Sequence, residues 1–185
     1  MLRSPLFSKS WHDVYTGFER QAAVDVEKLD EKIFSDPQLA ASLEKIVAKY
    51  RFEVAKLGSQ AGTAKAVKFN TGRAYVDALE VPVPFTGDAR SLNIRPSHSN
   101  IISVPAVEIQ KEHIVVTVYE AGNPGQQIED FIKRGNENLD SLREEVKRYD
   151  GELLKTVTSI AARRKASLEE RKSRDAKLPF RVDRS

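Results

Sequence analysis

The segment from 128 to 160 reads IEDFIKRGNENLDSLREEVKRYDGELLKTVTSI and holds the most regular pattern in the chain. Its apolar or small residues recur at steps that alternate between three and four, the repeat of a helix that packs lengthwise against a neighbour. The pattern predicts a long helical segment over 126–176, with Gly151 as a point where it could kink or divide into a helix pair. The strip consists of Ile128, Ile132, Gly135, Leu139, Leu142, Val146, Tyr149, Leu153, Val157 and Ile160.

Residues 10–57 show helical periodicity in two blocks, separated by Ser35-Asp36-Pro37. Asp36 can cap a helix and Pro37 is tolerated at its first position, so we expect a second helix that ends near Leu57. The two blocks predict a helical hairpin, which is the expected packing partner of the long helix. A second copy of the chain is the alternative partner, and it predicts a homodimer through the helix Ile128–Ile160.

The segment 58–72 has the composition of a linker. Its Gly58, Gly62 and Lys65 invite comparison with a phosphate-binding loop. Such a loop needs four residues between its glycines, a Lys-Ser/Thr pair after the second glycine, and a preceding strand. The segment meets none of these requirements, so the sequence predicts a linker.

Apolar residues then alternate at every second position from Arg73 to Pro84, which is typical of a strand. Pro82 and Pro84 cannot donate a hydrogen bond to a neighbouring strand, so we expect the end of this strand to lie at a sheet edge or leave the sheet. Further apolar runs predict three or four mostly antiparallel strands in all within 73–120. The sequence therefore predicts an α+β fold in a single domain over 1–185.

Composition narrows the function classes. The chain is 40% apolar and 31% charged, and it has no cysteine, which excludes disulfides, thiolate zinc sites and iron–sulfur clusters. Its three histidines are scattered, so we expect neither a metal site nor a cofactor. The opening MLRSPLFSKSW lacks a signal-peptide core, and no stretch approaches the roughly 20 apolar residues of a membrane span. We expect a cytoplasmic protein without a membrane partner.

Positive charge is concentrated near the C-terminal end. Residues 141–185 hold 13 Lys/Arg against 8 Asp/Glu, whereas the preceding 140 residues carry a net charge of −2. Such asymmetry can mark a surface that contacts nucleic acid or an acidic partner, although a solvated helix also looks like this. The candidate contact residues are Arg163, Arg164, Lys165, Arg171, Lys172 and Arg174.

A catalytic site is not indicated by the residues. Ser97-His98-Ser99 is the only local nucleophile–base candidate, and it lacks the strand–turn–helix elbow of a nucleophilic serine. The acidic triplet Asp30-Glu31-Lys32 lies in a predicted helix rather than on the strand that a metal-dependent nuclease uses. We therefore expect no enzyme activity, and we interpret Arg95, Ser97 and His98 as a loop that could contact a ligand.

Short motifs rich in proline and glycine follow one another from Val81 onward: Val-Pro-Val-Pro-Phe-Thr-Gly-Asp, then Ile94-Arg95-Pro96-Ser97, then Val104-Pro105, and later Lys177-Leu178-Pro179-Phe180. Over about 75–182 the chain resembles the N-terminal region of large bacterial proteins that carry a restriction-endonuclease-like domain towards the C-terminus and serve in defence against foreign DNA. In those proteins the nuclease domain follows the segment that here reads Arg181-Val182-Asp183-Arg184-Ser185, so catalytic residues cannot be carried over. An excised domain and a free-standing version both fit this resemblance.

The resemblance implies a non-catalytic sensing, regulatory or assembly module that acts on a protein partner or effector domain. The alternative is a module that binds nucleic acid without sequence preference through the basic C-terminal helix. The shared motif also has a structural interpretation, because Gly87 permits a tight turn with positive φ, and Pro96 and Pro105 fix extended backbone.

Overall fold

The computed structural model describes residues 6–100, 102 and 104–178. The chain forms two compact units, one made of Met1–Val14 with Phe52–Lys147 and the other of Tyr15–Arg51 with Arg148–Ser185. The sequence suggested a single domain, and the difference arises because the long helix contributes to two separate cores. The motif residues Pro179 and Phe180, and the segment 181–185, lie outside the described residues.

The fold is α+β, as the sequence predicted. Its helices are α1 (Trp11–Glu27), α2 (Leu39–Ala48) and α3 (Pro124–Asp175). Its strands are β1 (Lys9–Ser10), β2 (Lys56–Leu57), β3 (Lys65–Asn70), β4 (Tyr75–Thr86), β5 (Ile94–Arg95), β6 (Ala106–Ile109) and β7 (His113–Tyr119). Two short 3₁₀ helices cover Glu31–Ser35 and Ala89–Asn93.

The main sheet has five antiparallel strands in the order β2, β4, β7, β6, and β3 pairs with the other end of β4. β1 and β5 form a separate parallel pair. β6 and β7 form a hairpin, closed by the N–H of Gln110 donating to the carbonyl of His113 at 2.9 Å. β2 and β3 were not predicted, because they precede the range 73–120 that the apolar pattern assigned to the sheet.

The linker predicted over 58–72 is wrong, because β3 lies inside it and its glycines contact β4. The N–H groups of Gly58 and Gly62 donate to the carbonyls of Pro84 and Pro82, each at 2.7 Å. A Cβ at either glycine would lie 2.9 Å from the facing proline ring. Only glycine fits there. The nitrogens of Pro82 and Pro84, which carry no hydrogen, point to the side of β4 on which these glycines lie. The end of β4 was expected at a sheet edge or outside the sheet, but β4 has partners on both sides, with β7 along one side and β3, β2 and the two glycines along the other.

The helical hairpin predicted over 10–57 is present but shorter. α1 gives way to the 3₁₀ helix that Asp30 caps, and α2 begins at Leu39 without a side-chain cap. The expected second helix does not reach Leu57, whose N–H and carbonyl bond to the side chain of Asn136 at 2.9 and 3.1 Å. These long-range bonds satisfy the backbone groups of Leu57 in an extended conformation, so the apolar spacing there does not form a helix.

The core of the first unit lies on one face of the main sheet. On this face Val81, Val116 and Val107 are cross-strand neighbours, and the next row brings Val83 beside Ile114. The segment of α3 up to Lys147 buries apolar side chains in the same unit, and Gly135 lies directly against Leu57. The most buried members are Val83, Leu92, Ile114, Val116, Val118, Phe131, Leu139 and Leu142.

The core of the second unit lies between α1, the 3₁₀ helix Glu31–Ser35, α2 and the segment of α3 from Arg148 onward. Its aromatic rings make edge and tilted contacts, with 4.5 Å between the ring centroids of Tyr15 and Tyr149 and 5.4 Å between those of Phe18 and Tyr50. The buried aliphatic members include Ala22, Val26, Leu43, Ile46, Val47, Leu153, Val157 and Ala161. α3 is one continuous helix that does not divide at Gly151.

The apolar strip on α3 is covered inside the chain. All ten of its members are buried or half-buried, the earlier ones in the first unit and those from Tyr149 onward in the second. The homodimer was predicted on the ground that part of the strip would remain uncovered, and among its members Ile132, Val146 and Ile160 are partly exposed. Among those same residues, none of the helices combines the length and apolarity of a membrane span.

Two half-buried tyrosines of the second unit, Tyr15 and Tyr50, predict how the stability of the fold changes at alkaline pH. Burial, followed by hydrogen bonds to Glu19 and Asp25, raises the pKa of Tyr15 and of Tyr50 from 10.0 to about 12. Folding favours the neutral phenols, so their contribution is complete below pH 10 and is lost as the pH rises towards 12. We expect phenolate absorbance to show these two ionisations near pH 12, and one fewer in Tyr50→Phe. Ionisation of all five tyrosines near pH 10 with a native circular dichroism spectrum would contradict this.

Candidate functional site

Arg164, one of the six candidate contact residues, faces the interior of its unit. Its guanidinium donates to the carbonyls of Val26 and Leu29 at 3.0 and 3.1 Å and lies 4.9 Å from the ring centroid of Phe34. These carbonyls close α1, where the helix dipole also favours a positive charge. Arg164 is therefore a cap for another helix.

Arg171 forms an ion pair at the surface of the same unit. It pairs with Glu31 at the start of the 3₁₀ helix, and its hydrogen bond lowers the pKa of the Glu31 carboxyl below its usual range. Leu168, between the two arginines on the same face, is only 8% exposed. Arg164 and Arg171 thus bind groups at the end of α1 and in the 3₁₀ helix Glu31–Ser35.

The other four basic candidates are exposed but do not share a face. Arg163 and Arg174 are eleven residues apart and lie on one flank of α3, since each residue turns the helix by about 100°. Lys165 and Lys172 are seven residues apart and lie on the roughly opposite flank. The structure does not bring the six candidates together into one basic surface.

The second candidate, the loop with Arg95, Ser97 and His98, is fixed on α3. The N–H of Ser97 donates to the Glu145 carboxylate at 2.9 Å. Asn138 is 1% exposed and binds both backbone groups of Asn100, accepting from its N–H at 2.6 Å and donating to its carbonyl at 3.1 Å. Both anchors lie one heptad apart on a single helix, so α3 holds the loop at two points.

A groove of about 400 Å³ opens between this loop and β6. Its volume falls in the range of ligand-binding pockets. Phe7, in one wall, adopts a left-handed backbone with φ 53°, which is rare for a bulky residue, and its N–H donates to the carbonyl of Leu92 at 2.9 Å. Among the described residues that line the groove, Arg95 alone is charged. They are Leu6, Phe7, Arg95, Ser99, Asn100, Ile102, Val104, Ala106, Val107 and Asn138.

The register of the sheet shows which backbone groups of β6 are unused by β7. The pair Gln110–His113 is hydrogen-bonded, and hydrogen-bonded pairs alternate along an antiparallel ladder, so Ala106 and Glu108 also bond to β7. The N–H and carbonyl groups of Val107 and Ile109 consequently point away from β7, toward the outside of the sheet. In the described part of the chain no further strand pairs with this edge.

The opposite edge of the sheet is protected. β3 carries Lys65 and Lys68, and lysines on an edge strand discourage pairing with another chain. The backbone of Leu57 in β2 is occupied by Asn136. β6, with the sequence Ala-Val-Glu-Ile, carries no lysine, and among the described residues no side chain is seen to bind its outward backbone groups. The two edges of one sheet thus differ, and the edge formed by β6 adjoins the groove.

Two common catalytic arrangements, a nucleophile–base pair and a metal site, are relevant to the side chains near the groove. Ser97 and His98 are exposed, and within the described ranges neither side chain has a recorded hydrogen bond to the other. No group of three or more His, Asp or Glu that could hold a metal ion occurs among the described residues. No family model, curated protein or solved structure matches the chain.

Sequence reasoning identified Arg95 but missed the remainder of the groove. Phe7, Val107 and Asn138 are far apart in the chain, so only the fold shows that they are neighbours. One signal was available: Gly135, Asn136 and Asn138 are residues of low helix propensity in the middle of a predicted helix. Asn136 and Asn138 are there because their amides bind the backbones of β2 and the loop.

Proposed function

We propose that this chain is a non-catalytic module that binds a protein partner and thereby regulates or assembles an effector. The observation that carries the proposal is the groove beside β6, where a loop anchored on α3, apolar walls and a strand edge that no described strand pairs with meet around Arg95. A preorganised apolar groove with few polar groups suits recognition of another chain. The placement in a bacterial defence system against foreign DNA rests on the sequence resemblance.

The alternative, nucleic-acid binding through the basic helix, receives less support from the geometry. Arg164 and Arg171 already have partners inside their unit, and the four exposed cations lie on two flanks. A phosphate backbone would meet two of these cations at a time, which predicts weak binding with a shallow salt dependence.

The non-catalytic part of the proposal is tested with the purified chain. We expect no turnover of duplex DNA, single-stranded DNA or RNA in the presence of magnesium. A substitution such as Glu145→Gln, which removes a carboxylate near the loop, should then leave the background rate unchanged. Turnover that disappears on replacing a single carboxylate would overturn the proposal, because contaminating nucleases would not respond to that change.

A further inference from the structure

The outward backbone groups of β6 and the charge of Arg95 together specify a ligand. We propose that the groove receives an extended, carboxylate-bearing segment of a partner protein, which adds to the sheet as a strand beside β6. This inference rests on the proposed binding function and deepens it by naming the form of the partner.

The backbone of β6 supplies the first argument. Val107 and Ile109 present N–H and carbonyl groups at the spacing that an added strand requires, since the period of a strand is two residues. Four residues of β6 extend for about 13 Å, enough to pair with a short peptide segment. A helix could not satisfy these groups, because its own backbone is already bonded internally.

The side chains of the groove supply the second argument. On the face of the sheet that carries Val107, an added strand would direct every second side chain towards the apolar walls formed by Leu6, Phe7 and Val104. Arg95 is exposed at the groove, and no ion pair is recorded for it among the described residues. The matching segment has alternating apolar residues and one carboxylate, supplied either by Asp or Glu or by the C-terminus of the partner.

A library of random linear decapeptides displayed with free or blocked C-termini is the probe. We expect selection on the purified wild-type chain to enrich peptides with apolar residues at alternate positions and a carboxylate. Enrichment only with free C-termini assigns the carboxylate to the chain end, and enrichment in both formats assigns it to Asp or Glu. In either case Arg95→Glu should weaken binding of the selected peptides by about tenfold or more.

Val107→Pro tests strand addition directly. Proline removes the outward N–H of Val107 and leaves the bonds that Ala106 and Glu108 make with β7, and edge strands tolerate proline. We expect peptide binding to weaken by about tenfold, because one hydrogen bond is lost and the proline ring obstructs the edge. The matched control Val107→Ala keeps the N–H and should weaken binding much less.

Methylation of the peptide backbone provides a second readout that does not depend on how Val107→Pro folds. N-methylation at successive positions should weaken binding at every second residue, the period of a strand. Selected peptides that respond to Arg95→Glu but show no such period and tolerate Val107→Pro would overturn strand addition and leave the binding function in place. Failure to select any peptide above a scrambled pool would overturn the groove as a peptide site altogether.

A second copy of the chain is the competing occupant. Light scattering at high micromolar concentration should show a monomer for both wild type and Val107→Pro. A wild-type dimer that becomes a monomer in Val107→Pro would mean that β6 pairs with itself, and the proposal of a separate partner would be wrong.

Discussion

Replacement of Arg164 by Gln is expected to lower the free energy of unfolding by about 3 kcal/mol. The guanidinium makes two charge-assisted hydrogen bonds to the carbonyls of Val26 and Leu29, each worth about 1.5–3 kcal/mol, and it also lies over the ring of Phe34. Gln can replace one of the two bonds at most. Chemical denaturation followed by circular dichroism measures the loss.

The neighbouring Arg163 provides the matched control. It is exposed, one position away on the same helix, and carries the same charge, so Arg163→Gln should change stability by less than about 0.5 kcal/mol. Equal losses in the two variants would show that Arg164 acts only through net charge and that the capping role assigned here is wrong.

This contrast also decides how nucleic-acid binding has to be tested. A variant that replaced Arg164 would lose stability, and a loss of binding would then have two explanations; Arg171 is left in place because it already pairs with Glu31. The informative variant combines Gln at the four exposed positions Arg163, Lys165, Lys172 and Arg174. We expect this variant to fold like wild type. In titrations at two salt concentrations, we expect it to bind duplex and single-stranded DNA as weakly as wild type does. Micromolar or tighter binding near physiological salt that is abolished in this variant would favour the nucleic-acid function.

The elements that the sequence predicted well are those whose signal is local. The strip on α3 repeats over more than four heptads, and the alternation in β4 and in the β6–β7 hairpin is read from neighbouring residues. Gly87 was expected to adopt a positive φ and has φ 83°. Within such stretches the periodicity of apolar residues reports directly on the buried face.

The errors arose where distant residues decide the conformation. Gly58 and Gly62 resemble a linker until the rings of Pro84 and Pro82 are placed against them. Leu57 continues a helical spacing, yet its backbone bonds to a side chain 79 residues away. Arg164 resembles a solvated cation, although its acceptors are 135 and 138 residues away. No local pattern contains these partners.

Contacts between distant residues also fix the turn that follows the proline-rich end of β4. Asp88 caps the 3₁₀ helix that follows Gly87 by accepting from the N–H of Arg90 at 2.8 Å. The Ser91 hydroxyl donates to the Asp88 carbonyl at 2.7 Å and accepts from the N–H of Ala55 at 2.8 Å, and Ser91 is fully buried. The carbonyl of Leu92, next in the chain, holds Phe7 in the groove wall. The Val81–Asp88 part of the motif thus supports the groove wall through Ser91 and Leu92, and Arg95 and Val104 from the later parts line the groove.

Gly87→Ala should therefore be strongly destabilising, by about 3 kcal/mol. An alanine at φ 83° has an unfavourable left-handed backbone, which costs about 1–2 kcal/mol. Its Cβ would also lie 3.0 Å from the Cα of Ala55 and 3.1 Å from the carbonyl oxygen of Val54, and backbone atoms cannot move aside as a flexible side chain does. Moving the 54–55 backbone away from this Cβ would strain the hydrogen bond that the Asp88 N–H donates to the Glu53 carbonyl, which is 2.9 Å long.

Comparison with Gly72→Ala separates the steric part of this effect from the conformational part. Gly72 has nearly the same backbone, with φ 85°, but a Cβ there would meet nothing within 4 Å. It should lose only the conformational part, about 1 kcal/mol, so the difference between the two variants measures the collision with the 54–55 backbone. Denaturant midpoints with unchanged slopes give both values. Equal losses at the two glycines would mean that the 53–55 segment yields to the new methyl group, and the turn could not then be the fixed support that the groove wall requires.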